Sequence, residues 1–277
     1  MHADLPGSQM PLLRALAAMR KTLIVVLIHG RAATFGAADG NAVLANVTAL
    51  LAAHRPGQMG GEAIANLLWG TANPSGRLPH SWIRSVAHAG GGATPWLQER
   101  VSAWNSGTVT GAERRHYGTY VGGSSNPTTS PLFAFGEGLS YTTYTLSDFV
   151  VTPQLPANKT IPLLVTVVVH NTGSRVGDAV VQCYVQDPVG IGRVVRPWKR
   201  LLAFGRARAV PVGGEVPLTL AVRADDLAIV DDDNVLRVVP GTYTVSIGLS
   251  SIADDAAGMQ APFVVPVTSG YIPELVP

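Results

Sequence analysis

Near Leu146 the spacing of apolar residues changes from helical to alternating, and this limits the chain to two differently built parts. Leu163, Val165, Val167 and Val169 alternate with Leu164, Thr166, Val168 and His170. Val216, Leu218, Leu220 and Val222 repeat the pattern, as do Tyr243, Val245 and Ile247. Asn171-Thr-Gly173, Gly213-Gly214 and Pro240-Gly241 supply turns between these runs. Short alternating strands punctuated this way predict an antiparallel β-sandwich over residues 145–277.

Residues 1–144 read differently. Ser8 is placed to cap a helix carrying Leu13, Leu16 and Ala17 at helical spacing. Leu23–Ile28 is a short apolar run ending at His29-Gly30, predicted to be a buried parallel strand. Basic residues before it give Met19–Ile28 a passing likeness to a signal peptide, but the run is too short and a helix pattern precedes it. Asn41 is placed to cap a second helix with Val43, Leu44, Val47, Leu50 and Leu51 on one stripe. Pro56, Gly57, Gly60 and Gly61 force a loop before a helix near 61–69, whose apolar face is Ala63, Ile64, Leu67 and Leu68. Gly70 and Pro74 end it, and Arg77–Trp82 is extended. Helix, strand, helix, helix, strand points to α/β layering. The segment is too short for a complete doubly wound sheet, so one sheet edge is expected to be exposed.

Composition removes several classes. Of 277 residues, 47% are apolar and 14% charged, enough to bury cores and unlike a disordered chain. Net charge is +2 with no long basic block, which does not point to nucleic acid. No apolar run approaches the roughly 20 residues that span a bilayer, so no membrane crossing is expected. Cys183 is the one cysteine, so no internal disulfide forms; in an alternating run it reads as a small core side chain. Seven histidines show no metal-ligand spacing.

The stretch Arg55-Pro-Gly-Gln-Met-Gly-Gly-Glu62 through Asn73-Pro-Ser-Gly-Arg-Leu-Pro79 resembles the second domain of family 3 glycoside hydrolases, the β-glucosidase and β-xylosidase group. Leu5-Pro-Gly-Ser-Gln9, Val26-Leu-Ile-His-Gly-Arg31 and Phe133-Ala-Phe-Gly-Glu-Gly-Leu-Ser-Tyr-Thr142 are similar to further motifs of that domain. His170–Val185, Arg196–Phe204 and Val239–Gly248 resemble the fibronectin type III-like module appended to many of these enzymes. The chain departs from the family at His54, where tryptophan is usual, and over residues 84–130, which follow no family pattern.

The fold implied is a partial α/β sandwich over 1–144, with an irregular junction at 84–130, followed by an immunoglobulin-like β-sandwich over 145–277. Retaining glycoside hydrolysis uses two carboxylates about 5–5.5 Å apart, one a nucleophile and one an acid/base. The resemblance implies that the nucleophilic Asp lies on an N-terminal barrel and the acid/base Glu upstream of the Leu-Pro-Gly-x-Gln motif. Met1 is then expected to be a cut edge, with no catalytic residue in this chain. The reaction implied is hydrolysis of terminal β-glucosyl or β-xylosyl residues, without cofactor or metal. The partner is a β-linked oligosaccharide or glycoside held through the barrel. The resemblance favours export and is silent on oligomeric state.

Among the acids present, Glu62 suits the positive end of a helix, and Glu137 between two glycines reads as a turn residue. Asp231-Asp-Asp233 reads as a solvated turn. Trp96, Glu99, Trp104, Glu113 and Tyr117 are the candidate substrate-binding residues, because aromatic rings stack on the apolar faces of sugars; the alternative, which the sequence favours, is a surface loop that packs on the domain junction. His29 at a strand end reads as hydrogen-bonded structure. Asn46-Val-Thr48 and Asn158-Lys-Thr160 satisfy the glycosylation pattern, the first inside the predicted helix. An α/β-hydrolase would need a Gly-x-Ser-x-Gly elbow, and none occurs. The alternative from another class is a non-catalytic accessory or carbohydrate-contacting module.

Overall fold

A computed structural model describes residues 4–36, 40–82, 132–154, 163–188, 199–230, 235–251 and 259–265. Helix α1 (Gln9–Ala18) buries Met10, Leu13 and Ala17, while Leu16 is 39% exposed rather than part of the packed stripe. Ser8 occupies the cap position, but its side chain makes no capping bond. Strand β1 (Ile24–Ile28) pairs in parallel with β2 (Ala49–His54), in register from Ile24 opposite Ala49 to Leu27 opposite Ala52. Of β1 only Leu27 is buried, so the strand is less enclosed than its apolar sequence predicts.

The helix predicted after Asn41 is corrected. Helix α2 (Gly40–Leu44) stops after five residues, and Leu50 and Leu51 lie in β2. The Asn46 and Val47 amides donate to the carbonyls of Val43 and Leu44, and the Asn46 side chain donates to Ala42, closing the helix. Thr48 then starts the strand: its amide donates to the Leu23 carbonyl, and its hydroxyl accepts from the Leu23 amide at 3.2 Å. Short apolar runs fit either period, and pairing with β1 decides this one. Asn46 is therefore exposed in a turn, not inside a helix.

Helix α3 (Gly60–Leu68) forms where expected, with Glu62 in its first turn. Gly70 ends it at φ +73°, a conformation glycine adopts without Cβ strain. Its apolar face is only half covered: Ile64, Leu67 and Leu68 are intermediate, and Ala63 is exposed. The chain then runs extended to Trp82, which bridges to Phe133. Met10, Leu13, Ala17, Leu27, Phe35, Val43 and Trp82 form the core of this part.

The remainder is a sandwich of two antiparallel sheets. One orders β3 (Tyr144–Pro153), β4 (Leu163–Asn171) and β7 (Glu215–Val222). The other orders β11 (Gln260–Val265), β10 (Gly241–Gly248), β5 (Gly177–Gln186) and β6 (Arg200–Val210). A short helix α4 (Ala224–Leu227) and the two-residue strands β8 (Ile229–Val230) and β9 (Leu236–Arg237) link β7 to β10. Leu163, Val165, Val167 and Val169 all point inward and meet Val181, Cys183, Val185, Tyr243, Val245 and Ile247 in one core. Each such side chain contributes about 1.5–3 kcal/mol by leaving water, which makes this the dominant stabilising cluster. Fold class is thus α/β plus all-β. No helix among the described residues is long and apolar enough to cross a membrane.

Candidate functional site

Parallel strands present ligand-binding loops at their carboxyl ends. Here β1 ends at Ile28 followed by His29-Gly30-Arg31, and β2 ends at His54 followed by Arg55. The His29 amide donates to the His54 carbonyl at 2.9 Å, which locks the two ends together. The Arg55 guanidinium packs over Gly30 so closely that a Cβ there would lie 2.6 Å from Nη2. His80 and Trp82, from the extended segment, complete the cluster. Ring centroids stand 4.7 Å apart for His29 and His54, and 6.1 Å for His54 and His80. Trp82 contacts His29 edge-on at 5.2 Å and His80 at 5.9 Å, and its indole N–H donates to the Ala33 carbonyl at 2.7 Å.

Beside this cluster lies an open depression of about 400 Å³, lined in part by Pro6, Gln9, Leu27, His29, Gly30 and Arg31. No carboxylate lines it among the described residues. The nearby Asp4 is engaged in structure: its Oδ1 accepts from the Thr34 hydroxyl and from the Gly36 amide. Among the described residues the site therefore offers imidazoles, guanidinium groups and aromatic edges, but no acid pair for hydrolysis.

Three further described acids also serve structure. Glu137 accepts from the Ala134 amide at 2.7 Å, as a turn residue would. Asp178 accepts from the Ala209 amide and pairs with Arg206, and Asp187 pairs with Arg200. His29 is hydrogen-bonded as expected, through Nδ1 to the Arg31 carbonyl at 2.8 Å. No group of three or more metal-ligating side chains fit to hold an ion occurs among the described residues.

Trp96, Glu99, Trp104, Glu113 and Tyr117 lie outside the described residues, as do Asn158 and Asp231–Asp233. The described flanks of that first stretch meet at one point. Trp82 donates to the Phe133 carbonyl at 2.7 Å, and Leu132 donates to the Trp82 carbonyl at 2.7 Å. The histidine cluster was invisible to spacing rules, because its members are far apart in the chain. The one available signal was that each histidine stands within or at the end of an apolar or extended run.

A description of the glycosyl hydrolase family 3 C-terminal domain matches residues 1–141. The chain belongs to glycosyl hydrolase family 3. A fibronectin type III-like domain matches residues 179–251, within the sandwich. A β-xylosidase of Formosa agariphila is 36% identical over 259 residues, covering 91% of this chain and 31% of that protein. A periplasmic β-glucosidase of Salmonella typhimurium is 33% identical over 251 residues, covering 90% of this chain and 30% of its own length. The β-glucosidase of Streptomyces venezuelae solved with D-glucose superposes with a TM-score of 0.73 at 28% identity, over 95% of this chain and 31% of that one. A Listeria innocua β-glucosidase variant solved with laminaribiose gives 0.70 at 26% identity, over 98% and 34%. This family 3 chain thus spans under a third of the length of either sequence relative.

Proposed function

We propose that this chain acts within a retaining β-glycosidase that hydrolyses terminal β-glucosyl or β-xylosyl residues, as the part that carries no reacting carboxylate. The carrying observation is the family 3 C-terminal match over residues 1–141, joined to relatives named β-xylosidase and β-glucosidase. The absence of acids from the lining of the described depression supports assigning nucleophile and acid/base to other material. On this reading the substrate is a β-linked glycoside, and hydrolysis proceeds through a covalent glycosyl-enzyme intermediate. The domains divide at residues 1–144 and 145–277, a boundary supported by the match ending at 141 and by β3 starting at Tyr144.

Trp96, Glu99, Trp104, Glu113 and Tyr117 are proposed as contacts to the sugar. Their support is the chain geometry on either side: the described flanks of that stretch, Trp82 and Phe133, bridge each other, and Trp82 stands against His29 at the end of β1.

The test is release of 4-nitrophenol from its β-glucoside and β-xyloside by the purified chain. No turnover is expected. Turnover that disappears in Glu99→Gln or Glu113→Gln would overturn the assignment of chemistry to other material. An in-frame barrel in the coding sequence before Met1 would supply the missing carboxylates. A transcript without one would replace the hydrolase reading with that of an accessory module.

A further inference from the structure

The histidine cluster has the features of a proton-controlled contact. His29, His54 and His80 come from three separate backbone segments and are held within ring-contact range. His29 Nδ1 lies 2.8 Å from the Arg31 carbonyl, an oxygen that can only accept, so the neutral ring carries its hydrogen there. That leaves Nε2 as the bare nitrogen, and it is buried with no hydrogen-bond partner among the described residues. His80 Nδ1 is buried and unpartnered in the same way. A bare ring nitrogen without a partner costs little. The same nitrogen protonated would be a buried cationic donor with no acceptor, which costs far more.

The electrostatic surroundings point the same way. The charged groups on the described segments that carry the three rings are Arg31 after β1, Arg55 after β2 and Arg77 on the extended segment, and Arg55 packs against Gly30 beside His29. No carboxylate from the described elements offsets a proton on His54 or His80. Burial holds His54 below the ordinary imidazole range, and the charge of His29 lowers it further. Burial lowers His80 as well, followed by repulsion from His54 and His29.

We propose that His29, His54 and His80 form a pH-sensitive latch that seats the 77–82 segment on the ends of β1 and β2 while the rings are neutral and releases it in acid. Release follows because a charge on one ring repels the next and strands a buried donor. Trp82 reports the event, since its indole touches two of the three rings and its N–H bonds to Ala33. The sign is fixed by linkage: below about pH 6.5 the unfolded chain binds more protons than the folded one. The latch is at full strength above that pH and weakens as pH falls through the lowered folded-state values.

The unmodified 277-residue chain, labelled in its histidine rings, is titrated by NMR. The His54 and His80 signals should titrate below about 6.5, with broadened, coupled curves. The Trp82 indole N–H signal should move with the same midpoint. The melting temperature should fall by about 3 °C or more from about pH 7.5 to pH 5. That fall should shrink in His54→Phe and His80→Phe. Midpoints at or above the ordinary imidazole value, or a Trp82 signal that ignores the titration, overturn the latch without mutation. The same thermal fall in both variants also overturns it. None of these readouts depends on the hydrolase reading, because none measures turnover.

Discussion

Gln182 of the sandwich donates through Nε2 to the carbonyl of Gly136, at the turn of the Phe-Gly-Glu-Gly motif in the α/β part, at 3.0 Å. The same nitrogen donates to Leu249 at 2.9 Å, and the Tyr184 hydroxyl donates to Gln182 Oε1 at 2.5 Å. One buried amide thereby uses both its donors and its acceptor, and one of the three bonds joins the two parts. Around it the Ser251 amide donates to Phe135, Arg175 to Gly70 and Arg206 to Ser75. Gln182→Ala strips the partners from two carbonyls and a hydroxyl, and the expected loss is about 1–3 kcal/mol. Urea unfolding followed by circular dichroism measures it. A midpoint unchanged from wild type would show that water replaces the amide at no cost.

Gly136 faces the same contact from the other side. Its φ is +75°, and a Cβ on it would overlap the Gln182 amide. Gly136→Ala therefore adds backbone strain and collides with the buried side chain. The expected destabilisation is about 2 kcal/mol or more. The double variant Gly136→Ala with Gln182→Ala should recover part of this, because the clash is removed while the strain remains. Strict additivity in a double-mutant cycle would place the damage elsewhere.

Asn171 closes β4 in a comparable way. Its Oδ1 accepts from the Thr142 hydroxyl at 2.6 Å and from the Gly173 amide at 3.1 Å. Its Nδ2 donates to Arg175 at 2.7 Å and Val210 at 2.9 Å. Every hydrogen-bonding position of a fully buried side chain is filled. Asn171→Leu keeps the branching and heavy-atom count and removes all four bonds, so about 3 kcal/mol should be lost. Thermal melts of the two proteins decide it, and a shift of less than a degree would contradict the count.

These contacts lie beyond what the sequence makes legible. The sandwich was readable because β4, β7 and β10 alternate strictly and end at turn residues, and the inward set Leu163, Val165, Val167 and Val169 is buried as the alternation requires. Helix α3 was readable because Gly60-Gly61 and Gly70 bound it. Strand β2 is not separable from helix by spacing, because Leu50 and Leu51 suit both periods, and only pairing with β1 distinguishes them. The junction amides Gln182 and Asn171 carried no signal, since their worth lies in partners distant along the chain. The same holds for the ring cluster at His54, where the family motif would suggest an indole.

Cys183 lies at full burial in β5, and burial pushes its thiol up to about 12. The thiolate is the reactive form, so a folded chain at about pH 8 should resist a thiol-specific disulfide reagent. Reaction should become rapid and stoichiometric in denaturant. Fast labelling of the native chain would mean that β5 opens locally, exposing the centre of the sandwich.

The α/β part should drive self-association of the isolated chain. Among the described residues its sheet holds two strands, and Ile24 and Ile28 of β1 are exposed. Leu12 and Met19 near α1 are exposed too, and Trp69 beyond α3 is 85% exposed. The sandwich also shows large apolar side chains, such as Phe204, but its sheets carry three and four strands that cover a common core. Large exposed apolar groups gathered on one small unit promote contact between copies, because each contact removes more surface from water than a scattered residue does. Sedimentation velocity over a concentration series should therefore show mass increasing with concentration. Ile28→Lys and Trp69→Glu place charge on that surface and should shift the distribution toward monomer, whereas Phe204→Glu should do so far less. A monomer at every concentration in the unmodified protein would show that these side chains are too dispersed to form an adhesive face.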